Sequence, residues 1–143
     1  MSYDKDKLIA ELKRDEGFVS HAYQDSEGYL TIGIGRLIDK KRGGGITEDE
    51  AAYLLSNDIK RVEGQLDRDL PWWRDLDEVR QRVLLNMAFN LGINGLLSFV
   101  NTLSKMKAGD FAGAADGMLD SLWRKQVGNR AVRLADMMRT GKS

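Results

Sequence analysis

The sequence predicts an α+β fold that is mostly helical: a small N-terminal lobe with a short antiparallel sheet, a long inter-lobe helix and a helical C-terminal lobe. Three observations lead to this prediction. A stretch with period-two alternation follows a turn signal in the first third of the chain. One unbroken helical stripe comes next, and helical patterns separated by glycines fill the remainder. Strands and helices that are segregated along a chain are typical of the α+β class.

The chain begins with a predicted helix from about Asp6 to Glu16, followed by Gly17 as a left-handed cap. Asp15 and Glu16 fall in its last turn, where the helix macrodipole disfavours negative charge by about 0.3–1 kcal/mol. An acid in such a position is a candidate functional residue. The apolar face of the helix consists of Leu8, Ile9 and Leu12.

A β-hairpin is predicted next, with its turn at Asp25–Gly28 and a strand that runs from Tyr29 to Gly35. One face of that strand is nearly bare backbone around Thr31, and glycine in a strand indicates that another group approaches closely. The hairpin would bring Glu16, Asp25 and Thr31 to the edge of one groove. The opposite face is expected to point into a core and carries Leu30, Ile32 and Ile34.

After the hairpin, the glycine run Gly43–Gly45 is expected to be a flexible break, because it lacks the Lys-Ser/Thr of a phosphate-binding loop. Thr47 and Glu50 then form a capping box at the start of the long helix, which is predicted to reach about Asp67. At 1.5 Å per residue it would be roughly 30 Å long, enough to connect two lobes. Its apolar stripe is Ala51, Leu54, Leu55, Ile59, Val62 and Leu66.

Pro71 ends the long helix, and Trp72-Trp73 behind it are read as packing residues, with a sugar-stacking platform as the alternative. The segment from Leu76 to Leu91 is apolar nearly all round, which predicts a buried helix that ends at Gly92. Three shorter helices are expected at roughly Leu96–Ala108, Phe111–Leu119 and Asn129–Arg139.

Composition excludes several classes of function. Lys+Arg and Asp+Glu are both 22, which predicts no nucleic-acid partner. The absence of cysteine excludes thiolate chemistry, and a single histidine argues against a metal site or a Ser-His-Asp triad. The longest apolar runs are far below a membrane span, so no membrane anchor is expected. Basic residues outnumber acidic ones after Ser121. They are interpreted either as a solvated helix face or as a basic edge that faces an anionic polymer.

The ordered set Glu16, Asp25 and Thr31, within DEG and YQDSEGYLTIGIG, resembles the phage lysozymes of the T-even type, glycoside hydrolase family 24. The resemblance returns in VRQRVLLNMAFNLG, SFVNTL and NRAVRLADMMRTG and covers nearly the whole chain. It implies hydrolysis of the β-1,4 bond between N-acetylmuramic acid and N-acetylglucosamine in bacterial peptidoglycan. Glu16 would be the general acid, Asp25 the second carboxylate and Thr31 a residue that positions water. No metal and no organic cofactor is implied.

The resemblance also suggests residues that line a substrate groove, with one departure from the family pattern. Gly117 stands where the family has a side-chain amide, which puts one sugar contact in doubt. Arg130 would either reach toward Glu16 or pack its stem on a helix surface. The other residues at groove-lining positions are Leu37, Phe89 and Thr102.

As a whole, residues 1–143 are expected to form a single lysozyme domain that acts as a monomer. Its small lobe would be about 13–58, and its helical lobe about 59–143 plus an N-terminal helix 1–12. No signal-peptide block is visible at the N-terminus, so we expect the protein to stay in the host cytoplasm until it is released to the cell wall. Two alternatives stay open: a lytic transglycosylase acting on the same bond, and an inactive wall-binding module.

Arg36 occupies a position where the family usually has a histidine paired with an aspartate on the long helix. Alignment of LLSNDIKRVEGQL places Asp58 at the aspartate position. Because a guanidinium can meet a carboxylate with two hydrogen bonds, we predict an Arg36–Asp58 ion pair.

Overall fold

The computed structural model describes Ser2 and residues 4–143. The described residues form seven α-helices and three β-strands, which confirms the α+β, mostly helical fold class. The chain divides into two compact units, Met1–Tyr53 and Leu54–Ser143. We call them the N-terminal unit and the C-terminal unit and describe each by itself.

The N-terminal unit opens with α1 (Lys5–Glu16). Asp4 caps this helix by accepting a hydrogen bond from the Lys7 amide at 3.1 Å. Gly17 ends it with φ 72° and ψ 178°, so the predicted glycine stop is confirmed, although its ψ lies outside the left-handed helical region. The helix predicted from residue 1 includes Met1 and Tyr3, which lie outside the described residues.

A three-stranded antiparallel sheet follows, in the order β1-β2-β3. Its strands are β1 (Val19–Gln24), β2 (Leu30–Gly33) and β3 (Arg36–Leu37). The predicted hairpin is therefore confirmed, but its second strand is shorter than expected. Gly33 and Gly35 have φ near +70°, and they turn the chain back into a third strand that the alternation did not predict.

The expectation that Leu30, Ile32 and Ile34 form the core face of the strand is wrong. Leu30 and Ile34 are exposed and Ile32 is half-buried, whereas Thr31 is only 4% exposed. Thr31 lies inside the short central strand and is covered on both sides, by Tyr23 in β1 and by Leu37 in β3. Leu30 is the first residue of the strand and Ile34 lies just beyond its end, so both are less covered.

Gly43–Gly45 form an ordered turn, so the expected flexible break is wrong. The amide of Gly43 donates to Lys40 O at 3.1 Å, and that of Gly44 donates to Asp39 O at 3.0 Å. The amide of Gly45 donates to Leu37 O at 3.1 Å. Gly43 has φ 75°, and a Cβ on Gly44 would lie 2.6 Å from Leu37 O. Glycine is therefore required by the turn, not by mobility.

The long helix α2 (Glu48–Asp69) begins in the N-terminal unit and ends in the C-terminal unit. The predicted capping box is confirmed: Glu50 Oε1 accepts from the Thr47 amide at 2.8 Å, and Thr47 Oγ1 accepts from the Glu50 amide at 3.2 Å. Of the predicted apolar stripe, only Val62 and Leu66 are buried.

The C-terminal unit contains α3 (Glu78–Leu97), α4 (Val100–Ala108), α5 (Phe111–Leu119), α6 (Leu122–Val127) and α7 (Asn129–Thr140). Gly92 interrupts α3 with φ 75° and ψ 161°, which confirms the predicted helix end there. Helix α6 was not predicted. Among the described residues no single helix meets the length and hydropathy needed to cross a membrane, while α3 and α4, bent by 109°, meet them only as a pair.

Every buried hydrophobic side chain among the described residues belongs to the C-terminal unit. Trp73 is one of them and donates its indole N–H to Asp67 Oδ1 at 2.8 Å, so the packing interpretation of this tryptophan is confirmed. The largest fully buried side chains are Trp73, Leu66, Leu84, Met87, Leu96, Met106, Met118, Met138 and Val83.

Candidate active site

Asp25 lies at the start of the β1–β2 turn, and one of its carboxylate oxygens organises that turn. Oδ1 accepts hydrogen bonds from the amides of Glu27 at 2.9 Å and Tyr29 at 2.8 Å. The Asp25 amide donates in turn to Tyr29 O at 2.8 Å. This is the local bonding that makes aspartate a frequent turn residue. It fixes the position of the carboxylate and leaves Oδ2 without a partner among the described residues.

Thr31 is fixed by the backbone of the same residue, Tyr29. Its hydroxyl donates to Tyr29 O at 3.0 Å, so the carbonyl and the amide of Tyr29 are held by Thr31 and Asp25 respectively. The hydroxyl proton is used in that bond, which leaves the Thr31 oxygen as an acceptor. The predicted proximity of Asp25 and Thr31 therefore has a direct structural cause.

Glu16 is the last residue of α1, and its side chain lies against the backbone of Gly35. A Cβ built on Gly35 would lie 2.8 Å from Glu16 Oε2 and 2.9 Å from Glu16 Cδ. Gly35 has φ +70° as well, so a side chain there would be strained and would require the Glu16 carboxylate to move. The close approach that the glycines of this stretch indicated is thus the approach of Glu16.

The two carboxylates are held at opposite ends of β2. Asp25 is bonded to Tyr29, just before the strand, and Glu16 contacts Gly35, just after it. Thr31 lies between them. A four-residue strand spans about 13 Å of backbone, since each residue rises about 3.3 Å. Two acids in different settings match the needs of acid–base chemistry on a bound molecule.

Arg36 follows directly after Gly35, and its predicted partner is wrong. Its guanidinium forms an ion pair with Glu50, with Nη2 at 2.7 Å from Oε2 and Nη1 at 2.9 Å from Oε1. Asp58 instead pairs with Arg61 on its own helix at 2.8 Å. The capping box explains the difference, because it holds the Glu50 carboxylate at the start of α2, within reach of β3.

The ion pair sets the protonation state of Glu50. The hydrogen bond from Arg36, together with that from the Thr47 amide, lowers the pKa of Glu50 to about 2. The same hydrogen bond raises the pKa of Arg36. Glu50 is therefore ionised throughout the mildly acidic and neutral pH range.

The residues predicted to line a substrate groove lie in both units. Leu37 is half-buried in β3, opposite Thr31. Phe89 is 46% exposed and lines a groove of about 520 Å³ in the C-terminal unit together with Arg130. Arg130 donates from Nε and Nη2 to Asn86 Oδ1, at 3.0 and 2.8 Å, so its guanidinium has a partner on the neighbouring helix α3.

Thr102 lines a separate cavity of about 470 Å³ in the C-terminal unit. It is 7% exposed and faces Gly117, where a Cβ would overlap the threonine hydroxyl. A side chain at Gly117 would therefore require the Thr102 hydroxyl to move, so the glycine and the present threonine conformation fit each other.

Sequence reasoning missed two features of the site. Tyr29 links Asp25 and Thr31 through its backbone, and Arg42 places its guanidinium over the Tyr29 ring, 4.3 Å from the centroid. Neither had a signal in the sequence, because a backbone contact leaves no pattern and the stacking depends on a turn. Within the described part of the chain, no three His, Cys, Asp or Glu side chains are arranged to hold a metal ion.

Comparisons with known proteins relate the chain to one family. A family model described as phage lysozyme matches residues 13–139. The pre-baseplate central spike protein Gp5 of Enterobacteria phage T4 is 35% identical over 155 residues, which cover 91% of this chain and 27% of that protein. The probable T4-type lysozyme 1 of Dictyostelium discoideum is 30% identical, covering 91% and 92%. The endolysin of Salmonella phage P22 is 31% identical, covering 82% and 80%.

Proposed function

Because the chain belongs to the phage lysozyme family and is therefore a glycosidase, we propose that it hydrolyses the β-1,4 bond between N-acetylmuramic acid and N-acetylglucosamine in bacterial peptidoglycan. Relatives named endolysin and lysozyme support a substrate in the cell wall. The observation that carries the proposal is the arrangement of Glu16, Thr31 and Asp25 along β2.

In the proposed mechanism Glu16 is the general acid and gives its proton to the leaving glycosidic oxygen. Its carboxylate accepts no hydrogen bond from the described residues, so both oxygens are available to substrate. A water between Thr31 and Asp25 donates one hydrogen to the threonine oxygen and one to the free carboxylate oxygen. Its lone pair then attacks the anomeric carbon, and Asp25 takes the proton that the water loses.

This arrangement favours inversion of configuration. An inverting enzyme needs about 6.5–9.5 Å between the two carboxyl groups to admit a water, and a retaining enzyme only about 5 Å. Asp25 is hydrogen-bonded to the residue before a four-residue strand and Glu16 contacts Gly35 after it, which favours the wider separation. Inversion of the β bond gives an α product, and a first-formed β product by NMR would contradict it.

The groove residues complete the proposal. We assign saccharide contacts to Leu37, beside Thr31, to Phe89 and Arg130 on their shared groove, and to Thr102 in its cavity. The proposal further takes residues 1–143 as a single lysozyme domain and the protein as a monomer that passes from the host cytoplasm to the wall.

The direct test measures lysis of permeabilised bacteria by Glu16→Gln and Asp25→Asn. Each variant should lose most activity, at least about 100-fold, because each removes a group that transfers a proton. Far-UV circular dichroism should not change, since neither side chain is buried in a core. Glu11→Gln, an exposed glutamate on the same helix as Glu16, is the matched control and should lyse like the wild type.

Product analysis separates this proposal from its alternatives. A hydrolase leaves a reducing end, a lytic transglycosylase leaves an anhydro sugar, and a wall-binding module leaves the polymer intact. Near wild-type lysis by either carboxylate variant, or an anhydro product, would overturn the assignment.

A further inference from the structure

A turn with three consecutive cations lies beside the proposed catalytic hairpin. Lys40, Lys41 and Arg42 form a short 3-10 turn, which we call the basic turn. All three side chains are exposed. None of them lies within salt-bridge distance of an acidic group in the described part of the chain.

The basic turn has a defined geometry. Asp39 caps it, with Oδ1 accepting from the Lys41 amide at 2.9 Å and the carbonyl accepting from the Arg42 amide at 3.1 Å. Gly43–Gly45 close it through the three backbone hydrogen bonds described above. The cations are thus presented from an ordered backbone, which reduces the entropy lost when they bind a partner.

The basic turn is also joined to the hairpin that holds Asp25. The Arg42 guanidinium stacks on the Tyr29 ring, 4.3 Å from its centroid, and the Tyr29 amide is bonded to Asp25. Tyr29 is therefore the single residue between Arg42 and the proposed second carboxylate, Asp25. A polymer bound at Asp25 would place its flanking groups next to the turn.

We propose that the basic turn binds carboxylate groups of the peptide stems of peptidoglycan while the hairpin holds the glycan. This inference rests on the proposed function. Peptide stems are attached to N-acetylmuramic acid, so their carboxylates flank the bond that Glu16 and Asp25 would cleave. Lysine ammonium groups on flexible stems suit carboxylates whose positions vary along a polymer. The partner is the peptide part of the same substrate.

The test varies the charge of the basic turn and the charge of the substrate independently. Murein sacculi free of teichoic acid are used either native or with their carboxylates converted to amides by carbodiimide coupling to a neutral amine. On native sacculi, Lys40→Gln/Lys41→Gln should raise KM roughly three- to tenfold with kcat unchanged, since each exposed ion pair contributes little. On amidated sacculi, wild type and variant should have the same KM. Added salt should raise the KM of the wild type on native sacculi more than that of the variant.

Lys5→Gln/Lys7→Gln, which removes the same charge from exposed positions on α1, should leave KM unchanged on both substrates. The inference is overturned if this control matches the test variant, if the variant keeps the wild-type KM on native sacculi, or if its defect is as large on amidated ones. Wild-type protein that released reducing ends from neither substrate would instead contradict the proposed function itself.

Discussion

At the scale of single residues, the site depends on a glycine as much as on its acids. Gly35 gives the β2–β3 connection its positive φ and leaves the space in which the Glu16 carboxylate lies. A carboxylic acid that protonates a leaving group must be placed to within fractions of an ångström, because small errors of position reduce the rate steeply. We therefore predict that Gly35 is a positioning residue for Glu16, the proposed general acid.

We predict that Gly35→Ala lowers kcat at least about tenfold, because its Cβ would displace the Glu16 carboxylate. The positive φ should also reduce the free energy of unfolding by about 1–2 kcal/mol. Gly109→Ala is the matched control, since Gly109 has φ +84° and a Cβ there would contact nothing within 4 Å. Steady-state kinetics and denaturant unfolding should show similar destabilisation in both variants and a loss of kcat in Gly35→Ala alone. Equal kcat values in the two variants would rule out the positioning role.

At the scale of secondary-structure elements, the Arg36–Glu50 ion pair connects β3 to the first turn of α2. Glu50 serves two purposes, as the second half of the capping box and as the partner of the arginine. Both groups are partly exposed, with side-chain accessibilities of 49% and 38%, so salt should weaken the pair.

The pair predicts a specific pH dependence of stability. The folded-state pKa of Glu50, about 2, is below its ordinary value of 4.5. A lowered pKa means that the stabilisation is fully present above about pH 4.5 and is lost as the pH falls toward 2. The difference in Tm between wild type and Glu50→Gln should therefore be constant near neutrality and shrink between these two pH values. Glu48→Gln, in the same helical turn, should not reproduce this pattern, and a difference independent of pH would contradict the prediction.

A double-mutant cycle identifies the partner of Arg36. The effects of Arg36→Met and Glu50→Gln on the free energy of unfolding should be non-additive, because the two side chains form one ion pair. The effects of Arg36→Met and Asp58→Asn should add, since Asp58 pairs with Arg61. Coupling to Asp58 and none to Glu50 would restore the pairing predicted from the sequence.

At the scale of the whole molecule, the two units differ in how their stability is built. The C-terminal unit holds all the buried hydrophobic side chains of the described residues, and the buried residue of the sheet is the polar Thr31. Since burial of apolar area is the main driving force of folding, local opening should require less free energy in the N-terminal unit. The three proposed catalytic residues, Glu16, Asp25 and Thr31, thus belong to the unit with less apolar burial.

Native-state hydrogen exchange should show stronger protection in α3, α5 and α7 than in β1–β3. Leu84→Ala should lower the opening free energy of those helices by about 2–5 kcal/mol, the usual cost of cutting a buried leucine to alanine, and leave exchange in the sheet unchanged. Leu85→Ala, at a half-buried neighbouring position, should have a smaller effect. Sheet amides as protected as those of α5 would disprove this difference between the units.

The sequence by itself determined the fold class, most helix boundaries and the candidate acids, because these depend on local signals. Glycine stops at Gly17 and Gly92, the Thr47–Glu50 capping box and the buried pattern of α3 can all be recognised within a few residues. Asp25 and Thr31 were placed together from turn chemistry and strand alternation alone, for the same reason.

Only the tertiary structure decided which side chains meet across the chain. The partner of Arg36, the contact of Glu16 with Gly35 and the burial of Thr31 in place of its aliphatic neighbours each join residues from separate elements. The ordered turn at Gly43–Gly45 was missed because three glycines permit many conformations, and the hydrogen bonds that select one of them come from β3 and Asp39. Local pattern sets which elements form, whereas packing and long-range hydrogen bonds set which residues they bring together.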